Sequence, residues 1–131
     1  MTIIDSSVLL AVLLKEADHE IYLDFIASTS DIRIAAPTYL ETCMVANFRI
    51  GPTGVDEIQQ LVEQMEIKVL EFSAATARVA VLAFKRYGKG QGHKAQLNFG
   101  DCMSYAMSKT ELMPLLFKGD DFRLTDVDCA I

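Results

Sequence analysis

The sequence predicts an α/β fold on a mainly parallel sheet. Short apolar runs of strand length alternate with longer segments of helical periodicity, and acids follow the ends of several of those runs. Such alternation marks strands joined by helical crossovers. With 131 residues, 51% of them hydrophobic, the chain is expected to fold as one domain over 1–131 with a substantial core. No internal repeat, low-complexity tract or linker divides it.

In order along the chain, Thr2 to Ile4 reads as a strand and Ser6-Ser7 as the entry to an apolar helix, Val8 to Leu14. A polar turn over Lys15 to Asp18 leads to a second helix, Glu20 to Ala27, with Ile21, Leu23, Phe25 and Ile26 at helical spacing. Ile32 to Ala35 is the second strand. Pro37 suits the first turn of a helix because its missing N–H costs nothing there. That helix is expected to place Leu40, Met44, Val45 and Phe48 on its apolar side. Beyond the Gly51-Pro52-Thr53-Gly54 turn, Val55, Ile58, Leu61, Val62 and Met65 line one face of an amphipathic helix. Lys68 to Phe72 alternates as a strand, and Ala74 to Arg86 is helical, with Val79, Leu82 and Ala83 expected inward. A glycine-rich basic loop follows. Asp101 to Lys109 then forms a helix, Leu115 to Phe117 a strand, and Val127 to Ile131 a last short strand.

Composition narrows the function classes. No apolar run approaches the roughly 20 residues that span a bilayer, and the opening Met1-Thr2-Ile3-Ile4-Asp5 lacks the basic start of a signal peptide. Cys43, Cys102 and Cys129 are odd in number and widely spaced, which argues against a disulfide framework or a zinc site and fits a reducing cytoplasm. A net charge of −6 argues against nucleic acid, yet Lys85, Arg86, Lys89, His93 and Lys94 gather around Gly88, Gly90 and Gly92. On charge alone that segment reads as a solvated loop. Its local charge is nonetheless that of a phosphate-facing patch.

Five carboxylates carry the functional argument. Asp5 follows the first strand, Glu41 lies in a mostly apolar helix, Asp101 follows Gly100, and Asp120-Asp121 follow Gly119. Singly, each has an ordinary explanation: a helix cap, an exposed helical acid, a first-turn acid, a turn. Jointly, three of the four locations are ends of short apolar runs that read as strands or their exits, where open α/β sheets build ligand sites. Acids that converge repel one another and are costly to desolvate unless a cation neutralises them. All-oxygen ligation suits magnesium, with manganese as a substitute. Neither His19 nor His93 joins the set, and both are expected to face solvent. No Cys/His pair, nucleophilic serine motif or P-loop offers another chemistry.

Taken together, Ile3-Ile4-Asp5-Ser6-Ser7, Tyr39-Leu40-Glu41-Thr42, Leu97-Asn98-Phe99-Gly100-Asp101-Cys102 and Leu115-Leu116-Phe117-Lys118-Gly119-Asp120-Asp121-Phe122 resemble the PIN-domain ribonucleases, and among them the VapC toxins of bacterial toxin–antitoxin modules. The likeness runs over nearly the whole chain. It implies a Rossmann-like, three-layer α/β/α architecture and a magnesium-dependent endoribonuclease with an acidic quartet. Asp5, Glu41 and Asp101 match three members, and the fourth is Asp120 or Asp121. By the same resemblance Asp5 and Asp101 would ligate the metal, and Glu41 with Asp120 or Asp121 would complete the shell or hold water. Ser7 and Asn98 would orient the carboxylates, and Lys85, Arg86, Lys89 and Lys94 would steer RNA. A homodimer and a cognate antitoxin, whose C-terminal segment covers the groove, are also implied. Two readings compete: a receiver-like magnesium-binding signalling domain, and a non-catalytic PIN-like module that binds RNA or a partner.

Overall fold

The computed structural model describes residues 1–131. A four-stranded sheet in the order β3-β2-β1-β4 forms its centre, and every pairing is parallel. Its strands are β1 (Thr2–Ile4), β2 (Ile32–Ala35), β3 (Lys68–Leu70) and β4 (Leu115–Leu116). The helices are α1 (Ser6–Leu13), α2 (His19–Ser28), α3 (Ala36–Ile50), α4 (Pro52–Gln64), α5 (Ala74–Tyr87) and α6 (Phe99–Glu111), with a short 3₁₀ turn at Asp121–Leu124.

β1 is central and covered on both faces, which is why Thr2, Ile3 and Ile4 are all buried instead of alternating. Alternate side chains serve opposite layers. Ile3 packs with Ala35, Leu115 and the inner faces of α5 and α6, whereas Ile4 packs with Ile32, Ile34, Leu116 and the inner faces of α1 to α4. Each isoleucine so buried contributes roughly 1.5–3 kcal/mol.

Chain order shows where a site belongs. The path steps from β1 to β2 to β3 in one direction and then returns to place β4 on the other side of β1. The crevice between the carboxyl ends of β1 and β4 is therefore the topological switch point, the usual ligand position in such sheets. The backbone binds tightly here, with the Asp5 N–H donating to the Leu116 carbonyl at 2.9 Å.

Several expectations need correction. Leu40, Met44 and Phe48 do not face the core but stand 59%, 51% and 81% exposed, and α3 turns Thr38, Thr42, Cys43 and Ala46 inward instead. The inner face of α5 is Thr76, Ala80, Ala83 and Tyr87, leaving Leu82 outside. The apolar face of α1, with Val8, Leu9 and Val12, packs into the core. Val127 to Ile131 forms no strand. Only Leu115 and Cys129 bridge, through Leu115 N–H to Asp128 O and Ala130 N–H to Leu115 O at 2.8 and 2.9 Å. Both histidines are half-buried, with His19 Nδ1 at 2.7 Å from Glu16 O and the His93 ring edge-on to Tyr87.

Candidate active site

Asp5 is the anchor. It ends β1, caps α1 and is almost wholly buried. Its Oδ2 accepts from Ser7 N–H at 3.1 Å and Ser7 Oγ at 2.7 Å, and its Oδ1 accepts from Ser104 Oγ at 2.5 Å. Ser7 Oγ in turn accepts from the Lys118 N–H at 3.0 Å, so one hydroxyl joins the exits of β1 and β4.

Asp101 arrives on the first turn of α6. Asn98 and Asp101 form a reciprocal capping box: Asp101 N–H donates to Asn98 Oδ1 at 2.8 Å, and Asn98 N–H donates to Asp101 Oδ2 at 3.0 Å. The Asn-Phe-Gly-Asp order places cap and acid three residues apart, as that motif needs. Burial pushes the Asp101 carboxyl up to about 6 against the pull of the Asn98 N–H, and the charges of Asp5, Asp121 and Glu41 push the same way. Of the two acids after β4, Asp121 contributes to that push. Asp120 occupies the N-cap position of the 3₁₀ turn without a side-chain hydrogen bond to it.

Glu41 reaches the same place from α3. Its pKa is raised by burial and by the Asp5 charge, while Ser6 pulls it down. Its Oε1 is buried without a hydrogen-bond partner. Gly100 is the reason it fits: a Cβ there would lie 2.0 Å from Glu41 Oε2.

The arrangement is strongly negative and carries no internal counter-charge. None of the ion pairs includes Asp5, Glu41, Asp101, Asp120 or Asp121. The Lys118 ammonium is turned away onto Glu16 and Asp18 at 3.1 and 3.0 Å. As the side chains stand, no three acids, histidines or cysteines already converge on one ligand position. The groups that could hold a cation are Asp5, Glu41, Asp101 and Asp121, whose charges act on one another. Hard carboxylate oxygens and the orphaned Glu41 oxygen fit a divalent cation of the magnesium type.

An apolar cleft of about 420 Å³ opens beside Glu41, lined by Leu40, Met44, Phe48, Phe99 and Gly100 among others. Across the exposed Phe99 lies another of about 530 Å³, with Phe72, Val81, Phe84, Leu97 and Lys89 in its wall. A larger cleft near Asp31 and Lys68 lies at the amino ends of β2 and β3, away from the acids.

Lys85, Arg86, Lys89 and Lys94 are all exposed. Lys85 and Arg86 form the last turn of α5, and Arg86 lies over the Tyr87 ring and 3.8 Å from Asp126. Lys89 begins the loop that carries Gly90 and Gly92 at positive φ. Ser104 and the glycine contact were missed at sequence level. The only available signal was that Ser104 lies one helical turn beyond Asp101, on the same side of α6.

Residues 2–128 match the PIN domain family. The chain is 42% identical over 125 residues to Ribonuclease VapC of Mycolicibacterium smegmatis, covering 95% of this chain and 96% of that one. Its fold is similar to that of Mycobacterium tuberculosis VapC20, a sarcin-ricin loop cleaving toxin, with a TM-score of 0.80 at 16% identity, covering 97% and 96% of the two chains. It is also similar to a chain in a toxin–antitoxin complex from Klebsiella pneumoniae, with a TM-score of 0.69 at 15% identity, covering 93% and 90%. These likenesses displace the receiver-like reading. The acids at the switch point thus sit in a chain that belongs to the PIN-domain family and, within it, to the VapC ribonucleases.

Proposed function

We propose that this protein is a magnesium-dependent endoribonuclease, the toxin of a VapBC-type pair, and that it hydrolyses RNA phosphodiester bonds at Asp5, Glu41, Asp101 and Asp121. The observation that carries this reading is the buried Glu41 Oε1, which lacks any partner beside two further acids and no cationic side chain. A site built this way is complete only with a positive ion. Bound there, magnesium or manganese would supply a Lewis acid and an activated water for in-line attack on phosphorus.

The chain's own residues do the rest. Asp5 presents a fixed carboxylate because hydroxyl and amide donors hold both its oxygens. Asp101 is held by its capping box with Asn98 and would be the second direct ligand. Glu41 and Asp121 complete the shell or hold water by hydrogen bonds. Asp120 stands immediately before Asp121 at the head of the 3₁₀ turn. Lys85, Arg86, Lys89 and Lys94 supply positive charge to hold the RNA backbone on an otherwise acidic molecule.

Protein partners fit the same picture. The exposed Leu40, Met44, Phe48 and Phe99 border the clefts beside the acids, where an antitoxin segment would cover the site. Val81, Leu82 and Phe84 on α5 add apolar surface for a second copy of the chain. The deciding experiment is RNA cleavage with and without EDTA for wild type, Asp5→Asn and Asp101→Asn. Cleavage should need added Mg²⁺ and fall at least roughly 100-fold in both variants. Metal-independent cleavage, or full activity in both variants, would overturn the assignment.

A further inference from the structure

We infer that Ser104 is a positioning residue for Asp5, fixing which lone pair of that carboxylate is offered to the cation. The inference rests on Asp5 being a metal-binding acid, as proposed above, and extends it to a side chain with no acidic or basic character.

Ser104 is completely buried in α6, and its Oγ donates to Asp5 Oδ1 at 2.5 Å across 99 residues of sequence. A serine hydroxyl has one proton to give. With that proton directed to Asp5, Thr38 must be the donor in the long Thr38–Ser104 contact of 3.5 Å. Thr38 is itself buried and lies on α3, one turn before Glu41. The hydroxyls therefore run Thr38, Ser104, Asp5, and they link the helices that carry Glu41 and Asp101 to the end of β1.

Counting acceptor positions shows what this does. An ionised carboxylate has about four lone-pair positions. Both positions on Asp5 Oδ2 are taken by Ser7, through its N–H and its hydroxyl. Ser104 takes one on Oδ1 and leaves a single position open. Without Ser104, Oδ1 would have two open positions and no donor to hold its plane against the pull of a cation. Groups that orient a ligating carboxylate in this way are typically worth 10–100-fold in metal affinity or activity.

The test is calorimetric titration of Mn²⁺ into RNA-free protein, run for wild type, Ser104→Ala, Ser104→Cys and Asp5→Asn. Melting temperatures in EDTA and the Mg²⁺ concentration for half-maximal RNA cleavage are measured alongside. Cysteine is close to serine in size but is a weak donor. Ser104→Ala should weaken Mn²⁺ binding about tenfold and raise the Mg²⁺ requirement in proportion. Ser104→Cys should fall between alanine and wild type, and this order should not follow the melting temperatures in EDTA. Wild-type Mn²⁺ affinity in Ser104→Ala, or losses that track metal-free stability, would overturn the inference. Asp5→Asn separates the two levels: unaltered Mn²⁺ binding there would overturn the reading of Asp5 itself, whatever Ser104 does.

Discussion

Asp101 is the residue where site chemistry and stability oppose each other most clearly. Its carboxyl ordinarily titrates near 3.8 and is raised to about 6 in the folded chain. Between those values the folded state binds more protons than the unfolded one, so stability falls as pH rises through that window. Below 3.8 the favourable contribution of the protonated carboxyl is fully present, and above about 6 it is lost. Metal-free protein should therefore melt lower at pH 7.5 than at pH 5.5. Asp101→Asn should remove the corresponding part of that difference, a gain on the order of 1 kcal/mol at pH 7.5 once solvent screening is allowed for. Thermal melts in EDTA at the two pH values check this, and equal pH dependence in wild type and variant would refute it. Glu41 is raised for similar reasons and adds to the effect in the wild type. Substituting such an acid would stabilise the fold while disabling the site, the usual trade at functional positions.

At the scale of elements, the approach of α3 to α6 decides the geometry. Gly100 lets the Glu41 carboxylate lie against the first turn of α6, where any side chain would collide with it. Alanine is the better helix former, so Gly100→Ala should keep or slightly raise stability, by up to about 1 kcal/mol, read as an unchanged or higher melting temperature. The displaced Glu41 should cost 10-fold or more in RNA cleavage at saturating Mg²⁺. A variant cleaving at the wild-type rate would show that Glu41 is not held by this contact. The elements themselves were largely legible in the sequence, because β1 and β2 are short apolar runs and α4 has a strong one-sided pattern. The direction of an apolar stripe was not legible. Leu40, Met44 and Phe48 share one side of α3, but their spacing says nothing about solvent, and the core takes Thr38, Thr42, Cys43 and Ala46 instead. The last strand failed because the chain after Val127 meets β4 through a single bridge. Asp5, Glu41 and Asp101 stood out by their place relative to strands and helices. Ser104 did not, since its contact with Asp5 exists only once β1 and α6 are packed together.

For the whole molecule, the question is how an acidic protein of net charge −6 holds a polyanion. Charge distribution answers it. Lys85, Arg86, Lys89 and Lys94 are exposed together at the end of α5 and in the following loop, while Glu16, Asp18, Asp31 and Glu111 are engaged in ion pairs elsewhere. Asp31 is held well below its ordinary pKa by Arg33, and Asp18 by Lys118. Each phosphate contact releases counterions, so RNA affinity should fall with salt. Changing Lys89 and Lys94 to Gln should weaken RNA binding by Asp5→Asn protein and flatten the log–log salt slope by roughly 1–2, measured by fluorescence anisotropy. An unchanged slope would place the RNA elsewhere.

The parallel pairing of β1 with β4 also sets a timetable. Thr2 donates its hydroxyl to the Pro114 carbonyl, a bond across 112 positions of the chain, and Asp5 hydrogen-bonds to Leu116. β1 and the carboxylate of Asp5 therefore gain their full set of neighbours only once β4, distant along the chain, has docked. Before β4 docks, Asp5 and the acids proposed to act with it at 41, 101 and 121 are not held together. The proposed site is therefore a product of the finished sheet and of no local segment.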